Sequence, residues 1–90
     1  MRLDLFLKAT RLCLRRTVAQ KLCDAGLVSI NGMPAKSAHS VKPGDEITIK
    51  RRDHISVVKV LDLPAQRQTS KKDAGSLFEL LSEQKLDDAS

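Results

Sequence analysis

The spacing of apolar positions changes character along the chain. Leu3, Phe6 and Leu7 recur at i, i+3 and i+4, which puts them on one face of a short helix over Leu3–Ala9. Asp4 falls in its first turn, at the positive end of the helix dipole. Thr10–Arg16 connects to a second helix on which Val18, Leu22 and Ala25 share a face, with Ala19 and Cys23 beside them. Thr17 and Gln20 fit a capping box with Thr17 as the N-cap, and Gly26 supplies a left-handed stop. Beyond Gly26 the period falls to two. Leu27–Ile30 alternates, Asn31-Gly32 asks for a type I′ hairpin turn, and Met33–Ala35 returns as a short or edge strand because Pro34 has no N–H. Lys42-Pro43-Gly44-Asp45 is a turn, Glu46–Lys50 a half-buried strand, Arg51–His54 a polar connection, and Ile55–Leu61 a strand rich in β-branched residues. Residues 62–75 read as a linker. Ser76 and Glu79, with Leu77, Leu80 and Leu81 on one side, predict an amphipathic helix over 76–86, followed by a frayed tail over 87–90. The expected fold is α+β, with two N-terminal helices packed on a small, mostly antiparallel sheet over 1–61, plus the C-terminal helix.

Charge narrows what such a module can meet. The 90 residues suffice for one domain with a modest core and carry a net charge of +5. Residues 1–60 hold twelve Lys/Arg against five Asp/Glu, whereas residues 61–90 hold four against six. The positive potential therefore lies in the first two thirds, where it attracts a polyanion. No apolar run approaches the roughly 20 residues of a membrane span. Leu5-Phe6-Leu7 is too short for a signal-peptide core and is bounded by Asp4 and Lys8. Binding to a membrane surface would need Leu3, Phe6 and Leu7, which the core requires. These features predict a cytoplasmic chain. Cys13 and Cys23 lack metal or redox spacing and read as buried free thiols in a reducing compartment.

The chemistry-bearing residues cluster at the N-terminus. Arg2, Lys8, Arg11, Arg15, Arg16 and Lys21 lie in or beside the first two helices, and the apolar faces push them outward. Arg15 and Arg16 precede the second helix, where free N–H groups favour a phosphate and a guanidinium adds a planar fork of donors. Aromatic content then separates kinds of nucleic acid. The chain has two Phe, no Tyr and no Trp, too few for a base-stacking platform. Folded RNA, gripped by its phosphates and groove shape, is the expected partner. A helix-turn-helix DNA reader would need a recognition helix where Asn31-Gly32 and Pro34 stand. Catalysis is not expected: His39 and His54 stand alone, no nucleophile motif surrounds a serine, and Asp45-Glu46 reads as turn and strand start.

Met1-Arg2-Leu3-Asp4, Arg15-Arg16-Thr17, Gly26 to Gly32, Lys36 and Val41 to Ile47 occur in order, and together they resemble the ribosomal-protein S-four-type RNA-binding domain. The match covers about residues 1–60. Within that family the short length and the Lys71-Lys72 plus leucine-rich tail look most like stand-alone members of ribosome-associated quality control. The related fifteen-kilodalton heat-shock protein carries a longer basic extension. The resemblance implies a monomer without cofactor or metal that binds large ribosomal subunit RNA and peptidyl-tRNA on stalled subunits. It would work with a nascent-chain tailing factor that adds alanine. By position Arg2 and Arg16 match the family's RNA-contacting arginines and Asp4 its acidic partner, while Lys8, Arg11, Arg15, Lys21 and Lys36 join the patch by charge placement. Leu5 stands where relatives often carry Lys. The alternatives are recycling of stalled subunits in the heat-shock manner, ribosome assembly, or a protein adaptor acting through the C-terminal helix.

Overall fold

Helix α1 (Leu3–Ala9) buries Leu3, Phe6, Leu7 and Ala9, the face that the i, i+3, i+4 spacing demands. The computed structural model describes residues 1–63 and 77–85. At the start of α1 the N–H groups that no helix can satisfy internally all find acceptors. Leu3 and Asp4 donate to the carbonyls of His39 and Ser37 at 2.8 and 3.1 Å, ahead of the helix's own first bond from Phe6 to the Arg2 carbonyl at 3.0 Å. The Leu5 N–H reaches the Asp4 carboxylate at 2.8 Å. At the other end the buried Thr10 hydroxyl donates back to the Phe6 carbonyl at 2.7 Å. Arg11 then takes the left-handed conformation, with φ of 61°.

Helix α2 (Arg16–Asp24) departs from expectation in two ways. Thr17 is not the N-cap: Arg15 holds that position with an extended backbone, and no side chain caps it. The capping box fails because the Gln20 amide is engaged elsewhere, donating to Asp4 at 3.0 Å. The helix is also rotated. Ala19 and Cys23, spaced i and i+4, form the buried stripe, whereas Val18 is 44% exposed and Leu22 packs only partly against the core. Small side chains on the inward stripe let the helix lie close. Its C-terminus is a Schellman motif as Gly26 predicts. Gly26 at φ of 75° donates to the Cys23 carbonyl at 3.0 Å, and Leu27 donates to Leu22 at 2.9 Å.

The sheet contains β1 (Val28–Ile30), β2 (Met33–Pro34), β3 (Glu46–Lys50), β4 (His54–Val60) and β5 (Phe78–Lys85). Its order is β2-β1-β3-β4-β5, and every neighbouring pair is antiparallel. Asn31 and Gly32, both at positive φ, join β1 to β2 as the type I′ signal requires. Asn31 also accepts from the Glu46 N–H at 3.0 Å and donates to the buried Asp45 at 3.2 Å. Asp45 in turn accepts from the Lys42 N–H at 3.1 Å. Asp45 is therefore a structural fastening between turns, as its sequence context suggests. Val28, Ile30, Ile47, Ile49, Val58 and Val60 face Leu3, Phe6, Leu7 and Val41 across one core. Cys13 and Cys23 are free and buried. Burial pushes the Cys23 thiol up to about 11 and raises that of Cys13 against the opposing pull of Arg51, so both stay protonated at neutral pH.

The helix expected over 76–86 is corrected by the structure, in which Phe78–Lys85 is the edge strand β5. Leu77, Leu80 and Leu81 fit a helical stripe, but strand β4 offers a row of backbone groups that need partners. Residues of β5 pair along it from Val60↔Phe78 to His54↔Lys85. A bulge between Val57 and Val58 leaves Leu81 as the unpaired residue, which accommodates a leucine pair that strict alternation would split. Leu61 donates to the Leu77 carbonyl at 2.8 Å, so the chain returns beside the end of β4. The linker expected at 62–75 lies, from residue 64, outside the described residues, as does the tail at 87–90.

Gly26→Ala isolates the value of the α2 terminus. An added Cβ would meet nothing within 4 Å, so its cost is purely conformational, about 1–2 kcal/mol. Thermal unfolding should show Tm lowered by about 4–8 °C for each kcal/mol lost.

Candidate nucleic-acid interface

Asp4 is the organising residue of the basic face. Its side chain is fully buried, at the start of α1 where the core closes. Arg2 donates from Nε to Oδ1 at 3.2 Å and from Nη2 to Oδ2 at 3.3 Å. Arg16, the first residue of α2, donates from Nε to Oδ2 at 3.0 Å. Gln20, one turn further along α2, donates to the same oxygen at 3.0 Å. Burial pushes this carboxyl up, but hydrogen bonds from Gln20 and Arg16 and the fields of Arg16 and Arg2 outweigh it. The result lies below the usual carboxylate value.

One carboxylate shared by two guanidinium groups leaves a net positive charge. Arg2 and Arg16 remain 43% and 44% exposed. Arg16 spends only its Nε on Asp4, and among the described residues no acceptor takes its Nη1 or Nη2. Asp4 therefore orients the arginines without neutralising them. Lys36 belongs to the same end of the molecule: it adjoins Ser37, whose carbonyl accepts from the Asp4 N–H.

The other predicted cations are placed more loosely. Lys8 and Arg11 stand at the far end of α1, Arg15 occupies the N-cap position of α2 without capping it, and Lys21 lies on the outer side of α2; all are exposed. Among the described residues none of Lys8, Arg11, Arg15, Lys21 or Lys36 has a carboxylate within ion-pair distance. The direct cluster is thus Arg2, Asp4, Arg16 and Gln20, with the remaining cations arranged around the helical pair. Among the described residues no group of His, Cys, Asp and Glu is arranged to hold a metal ion.

Two residues escaped the sequence reading. The capping-box pattern conceals the role of Gln20, although its i+4 spacing from Arg16 already places both on one side of a helix. Arg51 carries no sequence signal beyond that of a polar connection. It reaches across to donate from Nη2 to the Leu12 carbonyl, in the segment between the two helices.

Two helices on an antiparallel sheet, with a buried acid steering exposed arginines, define a small basic α+β binding module. The S4 domain family model matches residues 1–47, and the chain belongs to that family. A Bacillus subtilis protein named RQC P-site tRNA stabilizing factor is 44% identical over 86 residues, covering 96% of this chain and 98% of the relative. The Streptococcus pneumoniae protein of the same name is 38% identical, covering 98% of each. Among solved structures, the trimeric Vibrio cholerae Heat Shock Protein 15 superimposes with a TM-score of 0.81 at 29% identity, covering 91% of this chain and 82% of that one.

Asp4→Asn keeps the shape but removes the charge that holds both arginines. Because the arginines are half-exposed, the loss should be about 1–3 kcal/mol. A carboxyl lowered by folding stabilises above its unfolded pKa of about 3.9, and that contribution fades as the pH falls through the folded value. Melting curves should show a constant gap between the two proteins from pH 5 to 8 that narrows under acid. A gap unchanged by acid would contradict this role for Asp4. Arg11→Gly is the complementary case. Glycine relieves the left-handed strain, so Tm should hold or rise while a cation is lost from the face. The log–log salt slope of binding to folded RNA should fall by about 0.7–0.9.

Proposed function

We propose that this protein binds ribosomal RNA and peptidyl-site tRNA on stalled large ribosomal subunits, in bacterial ribosome-associated quality control. The role is non-catalytic and cytoplasmic, and it supports the addition of alanine to the stalled chain by a tailing factor. The observation that carries this reading is the Asp4-centred pair of arginines. They stand in a family whose full-length relatives carry the name of P-site tRNA stabilizing factors.

The physical logic is preorganisation. Ordering a free arginine on a phosphate costs up to about 2 kcal/mol of rotamer entropy. Asp4, itself held by Gln20, fastens the relevant side chains before RNA arrives, so less ordering remains. The α2 N-terminus, uncapped by any side chain, adds N–H groups and a favourable dipole beside Arg16. Lys8, Arg11, Arg15, Lys21 and Lys36 extend the field along the helical pair, which strengthens long-range attraction and makes binding salt-dependent. Residues 1–61 would form the RNA-binding unit, with β5 extending its sheet. Recycling of stalled subunits is the second reading, favoured by the close superposition on Heat Shock Protein 15. An adaptor acting through a C-terminal helix loses its basis, because Phe78–Lys85 is a strand within the sheet.

Co-sedimentation with purified large subunits bearing peptidyl-site tRNA tests the proposal. Arg16→Ala should weaken binding by about ten- to a hundredfold, the value of one or two charge-assisted bonds. Arg2→Ala should cost less, because Arg2 already commits two nitrogens to Asp4. Unaltered co-sedimentation of both variants would overturn RNA binding by this face. Loss of alanine tails in cells carrying Arg16→Ala would separate quality control from recycling.

A further inference from the structure

The segment between α1 and α2 carries Arg11 and Arg15, yet little of it is fixed by its own side chains. Leu14 is 81% exposed, and Arg11 is held at positive φ. The local fastenings are the buried Cys13, whose N–H donates to the Leu7 carbonyl at 3.0 Å, and the Thr10 hydroxyl. A long-range fastening comes from the opposite side of the core. Arg51 follows β3, and its N–H donates to the His54 carbonyl at 2.8 Å to close the β3–β4 hairpin. Its guanidinium crosses to the Leu12 carbonyl through Nη2, beside the Cys13 thiol with which it interacts.

The same guanidinium is supported from behind. Arg51 Nη1 lies 3.2 Å from His54 Nε2, and His54 Nδ1 lies 2.6 Å from Asp53 Oδ1. A guanidinium only donates, so Nε2 must accept and the ring proton must sit on Nδ1, facing Asp53. Glu83 of β5 stands 3.7 Å from Nε2, beyond hydrogen-bond reach, and Lys85 completes the surroundings of the ring. Asp53, His54, Arg51 and the Leu12 carbonyl thus form one continuous relay from the sheet to the connection.

We propose that Arg51 is a positioning residue, a strut from the β3–β4 hairpin that fixes the α1–α2 connection so that Arg11 and Arg15 meet RNA in one register. This rests on the RNA-binding reading above. Arg51 is half-buried, and its guanidinium is engaged with the Leu12 carbonyl and His54, so it acts through the connection and not on phosphate. The role requires arginine: a lysine ammonium is a single point of charge and cannot span both the Leu12 carbonyl and His54.

The test measures affinity for purified large ribosomal subunits bearing peptidyl-site tRNA across a salt series. Arg51→Ala should weaken binding about tenfold with an unchanged log–log salt slope, because Arg11 and Arg15 still reach phosphate in the complex and the loss is the cost of ordering their connection on binding; Arg51→Lys should not restore it. A double-mutant cycle should couple Arg51 to Arg15 and leave Arg51 and Lys36 additive. A slope reduced by about 0.7–0.9 would make Arg51 a phosphate contact and overturn the strut. So would full rescue by lysine, or additivity with Arg15. Should Arg51→Ala melt below the assay temperature, His54→Ala carries the test by withdrawing the acceptor behind the guanidinium. Severalfold weaker binding at constant slope is expected, and unaltered binding overturns the proposal. Arg16→Ala serves as the control. Its failure to weaken binding sinks the RNA reading itself, whereas a silent Arg51→Ala beside a disabled Arg16→Ala sinks only the strut.

Discussion

A carboxylate removed from water must be surrounded by donors, and the donors must come from wherever the chain can bring them. Asp4 receives bonds from Arg2, from the Leu5 backbone and, across the helical pair, from Arg16 and Gln20. Meeting that requirement ties the start of α1 to the start of α2. It also decides where two guanidinium groups can be. The arginines are thus placed by the same interaction that keeps the acid tolerable in the core. Structural need and the geometry of the proposed RNA contact are here one constraint.

The rest of the molecule serves to keep that junction in place. The carbonyls of Ser37 and His39 hold the N–H groups of α1, and the isolated bridge between Arg2 and Ser40 joins the end of that loop to the residue that precedes α1. On the far side, Ala19 and Cys23 let α2 settle against the core with little bulk between them. Replacing either with a larger residue would lift the helix and lengthen the Arg16 and Gln20 contacts together. The sheet contributes a rigid back through β1, β3 and β4, whose inward residues are almost wholly buried. Turns at Asn31-Gly32 and Gly44 set its register without drawing on the basic face.

Much of this was readable in the chain because local chemistry and global fold agree. The α1 stripe, the Gly26 stop, the Asn-Gly hairpin and the alternation of Glu46–Lys50 each follow from short-range rules, and each appears where those rules put it. The failures share a cause: a tertiary partner outbid the local signal. Gln20 left its capping box for Asp4. The stripe of Val18, Leu22 and Ala25 gave way to Ala19 and Cys23, because proximity to the sheet favours small residues. Phe78–Lys85 became a strand because β4 had an open edge, and no local period reports an unpaired neighbour 18 to 31 residues away. At the basic face the residue types were legible as charge, but the order within them was not. Which arginines share an acid, and which stand alone, depends on contacts between residues far apart in sequence.

The division of labour among guanidinium edges explains why an acid belongs at the centre of a surface suited to anions. A lone carboxylate there would repel phosphate. Asp4 is instead enclosed by donors and screened from solvent, so an approaching phosphate meets the arginines first. Two positive charges against one negative leave attraction dominant. At an effective dielectric near 20 a single pair at 4 Å is worth about 4 kcal/mol before solvation costs, so the excess cation is not a small term. Arg16, bound through Nε alone, keeps the edge that matches two phosphate oxygens. A lysine at the same position would have to choose between Asp4 and phosphate. The arrangement therefore depends on arginine for its geometry as much as for its charge: one edge fastens the side chain to the fold while the other remains available.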